Sequence, residues 1–425
     1  MTTDRRNAIV LIALEVLWAF GAAFISGDII AALIYANGGG PTMMAVLTIC
    51  TGVFASAPQL VVPYLEQRIA HPIRGAAWSQ LIMVAGWGAI ALTLALTSTS
   101  WTLLLVIVVA EAVIGIAAAL NYPYYQHVRL RLFPPQTLSR SYSTVLFSSQ
   151  VAGILGAILC VPLLNASGGP THHNYLLCFG LAVALFVLST VCYIFLRDSQ
   201  PVPAVAMEIR PLTSFLKEYM GVLRADRNLQ WFLGSECFAW LSSIGAPFLT
   251  FAAVQRYGEG IAAHCNLSRY ILALAAVPVA HYLVIHWKAR GAMLVYYVCV
   301  LVAFALMILP FARWGALLSI GLIGAAMIFR VNYLFHFVAG LAQPAERTKY
   351  FALTSAIGAP FVLVCPLLGS WLLKITGDNY AVPFGVSGGL MTFGLVIVWS
   401  RLQDPGTAGD QHNVVPRVSL KRLAG

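Results

Sequence analysis

Ala8-Ile9-Val10-Leu11-Ile12-Ala13-Leu14-Glu15-Val16-Leu17-Trp18 and Trp231-Phe232-Leu233-Gly234-Ser235-Glu236-Cys237-Phe238-Ala239-Trp240 are two apolar runs, each holding a single carboxylate. A carboxylate in hydrocarbon is costly unless it faces a cavity or a partner. Each glutamate lies in the run that opens one of two similar halves of the chain. Their matching places point to a functional site inside a membrane.

Composition agrees. Hydrophobic residues make up 60% of the chain and charged residues 9%, against about 45–50% and about 25% in soluble domains. At 425 residues, about three soluble domains would be the prior from length alone. Instead, apolar runs of about 20 residues, enough to cross about 30 Å of hydrocarbon, recur along almost the whole chain. Twelve spans are expected, at 9–34, 42–64, 75–97, 101–126, 142–164, 174–196, 229–254, 268–287, 291–311, 314–338, 350–373 and 380–400.

Loop charge orients them. With the first residue in the cytoplasm, twenty of the 25 Lys and Arg fall on cytoplasmic loops and termini, and Arg330 falls inside a span. The other side holds only Arg256, Arg269, Arg313 and Lys374. That is the positive-inside bias, so both termini are expected in the cytoplasm. The net charge of +10 is thereby a signal of topology and anionic lipid, and no nucleic-acid partner is expected. The first apolar run is too long for a signal core and lacks a small-residue cleavage site, so it stays as span 1. The eight cysteines show no CxxC spacing, and only Cys265 falls on an expected outer loop, which excludes a disulfide framework and a zinc site. Asn165-Ala166-Ser167 and Asn266-Leu267-Ser268 read as glycosylation sequons on outer loops.

Four regions follow: a first six-helix bundle at 1–196, a cytoplasmic linker at 197–228, a second bundle at 229–402 and a cytoplasmic tail at 403–425. In the linker Leu212, Phe215, Leu216, Tyr219, Met220 and Leu223 fall at helical spacing, as in an amphipathic helix lying on the membrane. The halves repeat in register. At an offset of 209, Gly115, Ala117, Tyr124, His127, Leu132 and Pro135 meet Gly324, Ala326, Tyr333, His336, Leu341 and Pro344. Glu15 meets Glu236 at 221, and Arg74-Gly75-Ala76 meets Arg290-Gly291-Ala292 at 216. Such duplication is a transporter signature.

Twelve spans, a duplicated half, a cytoplasmic middle loop and basic loops after spans 2 and 8 together resemble the major facilitator superfamily over nearly the whole chain. The resemblance implies an all-α integral membrane fold with twelve transmembrane helices in two pseudo-symmetric six-helix bundles. The family's G-x-L-x-D-R-x-G-R loop corresponds here to Pro63-Tyr64-Leu65-Glu66-Gln67-Arg68-Ile69-Ala70-His71. Leu65 and Arg68 fit, Gln67 and Ala70 depart, and Glu66 supplies an acid one place early. Glu66 and Arg68, with Arg74, Lys288 and Arg290, are thus the expected conformational-switch loops. The antiporter run G-x-x-x-G-P-x-x-G-G of span 5 is reduced to Gly153-Ile154-Leu155-Gly156, which counts against a multidrug exporter.

In the family fold, spans 1, 4, 7 and 10 line the central cavity, and the intramembrane polar residues crowd onto those four. Glu15, Asp28 and Glu111 are the candidates for proton coupling, since a buried carboxyl can alternate between neutral and ionised forms. Asp28 falls near the outer end of span 1, where a gate and a solvated helix end are both open readings. Arg330 cannot readily lose its proton and must be paired, hydrated or facing an anion. Its depth matches that of Glu236, so an ion pair between spans 7 and 10 is expected, one that a substrate carboxylate or phosphate could compete for. Because Arg330 would hold Glu236 ionised, Glu15 is the expected proton carrier and Glu236 the gating partner. Asn121, Asn332, Trp18, Tyr124, Trp240 and Tyr333 complete the expected substrate surface, as an aromatic wall with polar handles. His281 reads as a satisfied core residue.

No P-loop or ATPase domain is present, so movement must draw on a gradient. The expectation is a secondary active transporter of a small organic, anionic or hydrogen-bonding solute, driven by protons ahead of sodium. It would sit as a monomer in the lipid bilayer of a cell membrane, with no cofactor and no metal. A drug or metabolite efflux antiporter of the same fold is the alternative. An integral-membrane enzyme is disfavoured by the repeat and by the absence of a close His/acid motif.

Overall fold

The computed structural model describes residues 3–61, 71–97, 99–132, 135–165, 171–197, 217, 220, 221, 223, 224, 226–309, 312–341 and 347–404. Every regular element among them is a helix. Eleven helical segments are long and apolar enough to cross a membrane, and the shorter Ala359–Ile375 supplies the remaining one, in span 11. The chain is a multi-pass membrane protein. Its outward surface fits that solvent: Trp101, Trp314 and Ile194 stand 68%, 78% and 78% exposed. In water such a surface would drive aggregation, whereas lipid satisfies it.

Two bundles of six pack by the same scheme. In the first, span 4 (Ser100–Leu132) lies on spans 2 (Pro41–Ser56) and 3 (Pro72–Leu96), and span 6 (His172–Cys192) lies on spans 1 and 3. In the second, span 10 (Ala312–Leu341) lies on spans 8 (Ile261–His286) and 9 (Lys288–Ile308), and span 12 (Ala381–Ser400) lies on spans 7 and 9. The matched glycines explain part of the repeat. A Cβ on Gly115 would meet the Thr51 carbonyl of span 2 at 3.0 Å, and one on Gly324 would strike the Arg269 carbonyl of span 8. Each bundle therefore needs a bare backbone at the same crossing.

An asparagine closes each bundle at its terminal end. Asn7 donates to the Arg197 carbonyl at 2.9 Å and accepts from the Arg197 N–H at 3.1 Å. Asn228, 221 positions later, does the same with Gln403 at 2.8 and 3.0 Å. Each side-chain amide thus satisfies both backbone groups of one residue where the bundle's last helix ends.

Spans 1 and 7 are both broken, at corresponding places. Span 1 consists of Thr3–Ala22 and Gly27–Ala36; span 7 consists of Arg227–Leu241, a tight turn at Ser242–Ile244, and Phe248–Tyr257. Pro247 lacks the N–H that a continuous helix would need, and Ser26-Gly27 stands at the matching point of span 1. A carbonyl at the first break, that of Ala23, is taken by Asn266 of span 8 at 2.7 Å.

The bundles meet along spans 2 and 11 and along spans 5 (Pro135–Asn165) and 8, two contacts exchanged by the pseudo-twofold. Beyond the breaks, Gly27–Ala36 packs on Phe248–Tyr257 and on span 8. Before the breaks, Thr3–Ala22 packs on spans 5 and 6, and Arg227–Leu241 packs on spans 12 and 11, each within its own bundle. The molecule is therefore closed at the end away from its termini.

Several expectations are corrected. Span 8 begins at Ile261 rather than 268, which draws Cys265, Asn266 and Arg269 out of the expected outer loop into a helix. Asn266 is fully buried, so its sequon is not a surface acceptor. Span 4 runs to Leu132, so Arg129 belongs to a helix and not to a loop. Span 11 is Arg347–Ala356 and Ala359–Ile375, interrupted where Gly358 receives the Trp240 ring. His281 is exposed rather than in the core. Glu66 and Arg68, and most of the linker and tail, lie outside the described residues.

Candidate functional site

Each glutamate that opens a bundle receives one tyrosine and one arginine from that bundle's fourth helix. Glu236, fully buried, accepts from Arg330 Nη2 at 2.9 Å and from the Tyr333 hydroxyl at 2.5 Å. The pairing inferred from depth is present. Glu15 accepts from Arg129 Nη2 at 3.1 Å and from the Tyr125 hydroxyl. Both guanidinium groups also lie on aromatic faces, Arg129 over Tyr125 and Arg330 over Trp240, each at 4.3 Å. A guanidinium sandwiched between a carboxylate and a ring is held in charge and orientation. The carbonyls just before the glutamates are anchored too: Ser189 donates to Leu14 and Tyr297 to Ser235, at 2.9 and 2.6 Å.

Asp28 follows another plan. Its side chain is 1% exposed and accepts two bonds from Arg269, Nε at 2.9 Å and Nη2 at 2.7 Å, with a third from the Thr250 hydroxyl. Asp28 belongs to the first bundle, Arg269 and Thr250 to the second. This is a cross-bundle tie, and Asp28 is no solvated helix end.

Glu111 is unlike the other three intramembrane acids. It is 5% exposed, and its Oε1 has no hydrogen-bond partner. The Trp87 indole N–H is its polar neighbour, placed beside the carboxyl but short of full hydrogen-bond geometry. Both face a cavity of about 380 Å³ whose lining includes Gly27, Asp28, Thr48, Thr51, Ala246, Pro247, Thr250 and Arg269. The cavity therefore touches both helix breaks, where transporter folds place ligand sites near the bilayer midplane.

The other expected residues divide. Trp240 and Tyr333 join the Glu236–Arg330 group. Trp18 stacks beside Trp87 and Phe186, with centroids 5.6 and 4.3 Å away, and so backs the cavity wall. Asn121 donates to the Ala76 carbonyl and to Ser79, and Asn332 donates to Ile328 within its own helix, so these two serve packing. Tyr124 fills the space a Cβ on Gly75 would need. Arg74 and Lys288 are exposed at helix starts, whereas Arg290 donates to the Val398 carbonyl and its N–H to Asp404, pinning the end of span 12. Arg129, Arg269, Thr250 and Trp87 were missed, the arginines because a charge near a span end reads as a loop. The spacing Tyr125-x-x-x-Arg129, one helical turn, was the available signal.

Known structures share this architecture. The nucleoside transporter NupG superposes with a TM-score of 0.69 at 11% identity, covering 95% of this chain and 100% of that one. A D-xylose-proton symporter gives 0.69 at 15%, with 95% and 99% covered, and the human organic anion transporter MFSD10 gives 0.61 at 16%, with 94% and 100% covered. No protein-family model matches the chain, and no curated protein does. The chain has the major facilitator fold: twelve spans in two pseudo-symmetric bundles.

Proposed function

We propose that this chain is a secondary active transporter of a small organic solute, coupled to protons, with Glu111 carrying the coupling proton. The observation that carries the reading is the contrast among four acids. Glu15, Asp28 and Glu236 each have an arginine, while Glu111 has no cation on it among the described residues and faces the cavity. An unpaired carboxylate in hydrocarbon is costly, and a neutral acid is not, so the group favours its proton in a dry cavity and gives it up when water enters. Assigning the role to Glu15 assumed that it had no cation; Arg129 supplies one. Glu15 and Glu236 serve instead as matched supports that fix spans 1 to 4 and 7 to 10.

The fold neighbours support transport as the activity, and one of them is a D-xylose-proton symporter. With the termini in the cytoplasm, as the loop charges indicate, the closed end faces outward. Protein in proteoliposomes is offered pentoses, nucleosides, small carboxylates and small amines under imposed proton and sodium gradients. Uphill accumulation of one class should collapse with a protonophore and be lost in Glu111→Gln. Glu111→Gln that still concentrates solute with unchanged pH dependence would sink the assignment.

A further inference from the structure

The cavity has a hydrogen-bonding polarity that names its ligand. Thr48 spends its hydroxyl proton on the Met44 carbonyl at 2.8 Å, and Thr51 spends its own on the Leu47 and Thr48 carbonyls at 3.1 and 3.2 Å. Thr250 spends its proton on Asp28. A hydroxyl that has donated can only accept, so all three threonines present lone pairs to the cavity. Glu111 Oε1 is a further acceptor; on the donor side Trp87 Nε1 is the one fully buried donor without a hydrogen bond among the lining residues, and Arg269 gives its Nε and Nη2 to Asp28. In charge, Asp28 is matched by Arg269. The ionised Glu111 then leaves the cavity with one uncompensated negative charge. The remaining lining is hydrocarbon, with Ile30, Met44, Leu47 and Pro247 among it.

An acceptor-rich, singly anionic cavity with apolar walls fits a small organic molecule bearing one protonated amine. Its N–H groups would satisfy the carboxylate and the threonine oxygens, its charge would replace the proton of Glu111, and the Trp87 ring offers a cation–π face. A carboxylate or phosphate would be repelled by ionised Glu111, and the charge of Arg269 is already matched by Asp28. Building on the assignment of Glu111 as the coupling carboxyl, we propose that this cavity binds a small organic ammonium ion in place of the Glu111 proton, so that transport is an exchange of amine for proton. The step balances: the neutral carboxyl and the ammonium ion give the carboxylate–ammonium pair and a proton released to water. One oxygen cannot hold both claimants in the dry cavity, which is why exchange rather than co-transport follows. The anion-binding reading of Arg330 is independent of this and would require a ligand to displace Glu236.

The test uses the full chain in detergent, weakly buffered, with a pH-indicator dye. Benzylammonium and n-butylammonium are the probes, and benzyl alcohol is the uncharged control. Proton uptake by wild type and Glu111→Gln is measured first between about pH 5 and 9, where a difference marks an exchangeable proton at Glu111. Each ammonium is then expected to release that proton from wild type, with affinity rising about tenfold per pH unit while Glu111 is protonated. Glu111→Gln and benzyl alcohol should release none, and Glu111→Asp, which keeps a carboxyl, should restore release. A proton difference without release by either ammonium overturns the amine assignment and leaves the coupling carboxyl standing. Ammonium binding of equal strength in wild type and Glu111→Gln also overturns it. Equal proton uptake by the two proteins sinks the coupling reading itself, and the exchange with it.

Discussion

Asp28 and Arg269, 241 positions apart, form a two-bond ion pair that joins the first bundle to the second just beyond the break in span 1. The two ends of the pair are unequally buried: 1% of the Asp28 side chain is exposed against 34% of Arg269. Opening the closed end must separate these charges, so the pair holds the observed state. Removing one partner of a buried pair costs about 3–5 kcal/mol, chiefly by stranding the other. Arg269→Ala strands the buried acid and should cost more than Asp28→Ala, which strands the less buried member of the pair. Unfolding midpoints of both variants and of the double variant measure this. Equal losses would mean that burial does not set the cost.

The Glu236–Arg330 and Glu15–Arg129 pairs invite the same cycle with a different expectation. Arg330 is 13% exposed and its carboxylate fully buried, while Arg129 and Glu15 are 15% and 18% exposed. The first-bundle pair is therefore the less buried of the two, and removing one partner strands less. Arg330→Gln should be strongly destabilising, and Glu236→Gln with Arg330→Gln should recover part of the loss, giving a coupling of about 1–3 kcal/mol. The matching cycle at Glu15 and Arg129 should show a smaller coupling. A sum of single effects at Glu236 and Arg330 would show that the contact carries no energy of its own.

The two-bundle fold was legible because hydrocarbon demands long apolar runs and the loops sort by charge. The Glu236–Arg330 pair was legible because depth within a helix can be counted at a fixed rise per residue. Arg269 and Arg129 were not, since hydropathy ends a span at its first charge and so read both as loop residues, with no depth to count. The breaks could have been read: Ser26-Gly27 and Pro247 stand at the same offset of 221 that aligns Glu15 with Glu236 and Asn7 with Asn228. What singles out Glu111 could not, because it is the lack of a cation among the described residues, and only a folded chain displays that.

Orientation is testable with cysteines placed on opposite faces. Ser100 is exposed where span 4 begins, on the face away from the termini, and Lys217 is an exposed residue preceding span 7. In a background with the eight native cysteines replaced, Ser100→Cys should react with an impermeant thiol reagent on intact cells. Lys217→Cys should react only after permeabilisation, as the positive-inside bias requires. The reverse pattern would invert the molecule and put the closed end on the cytoplasmic side.

Glu259 supplies a pH dependence at the closed end. It lies between the helices Phe248–Tyr257 and Ile261–His286 and accepts a 3.3 Å hydrogen bond from the Tyr175 hydroxyl of the other bundle. Burial pushes its carboxyl above the ordinary glutamate value, and the Tyr175 bond opposes the shift only in part. A carboxyl whose folded value is raised binds its proton more tightly in the folded state than in the unfolded one. Its stabilising contribution is then full below the unfolded value of about 4.3 and is lost as pH rises through the raised value. Above that window the ionised group weighs against the closed arrangement, because ionisation favours leaving the buried seam between bundles. Glu259→Gln cannot ionise. The stability of wild type relative to Glu259→Gln should therefore fall across the window and then level off, read from unfolding midpoints at closely spaced pH values. Parallel profiles for the two proteins would show that Glu259 does not titrate differently in the folded molecule, and the pH sensitivity of the closed end would have to be sought elsewhere.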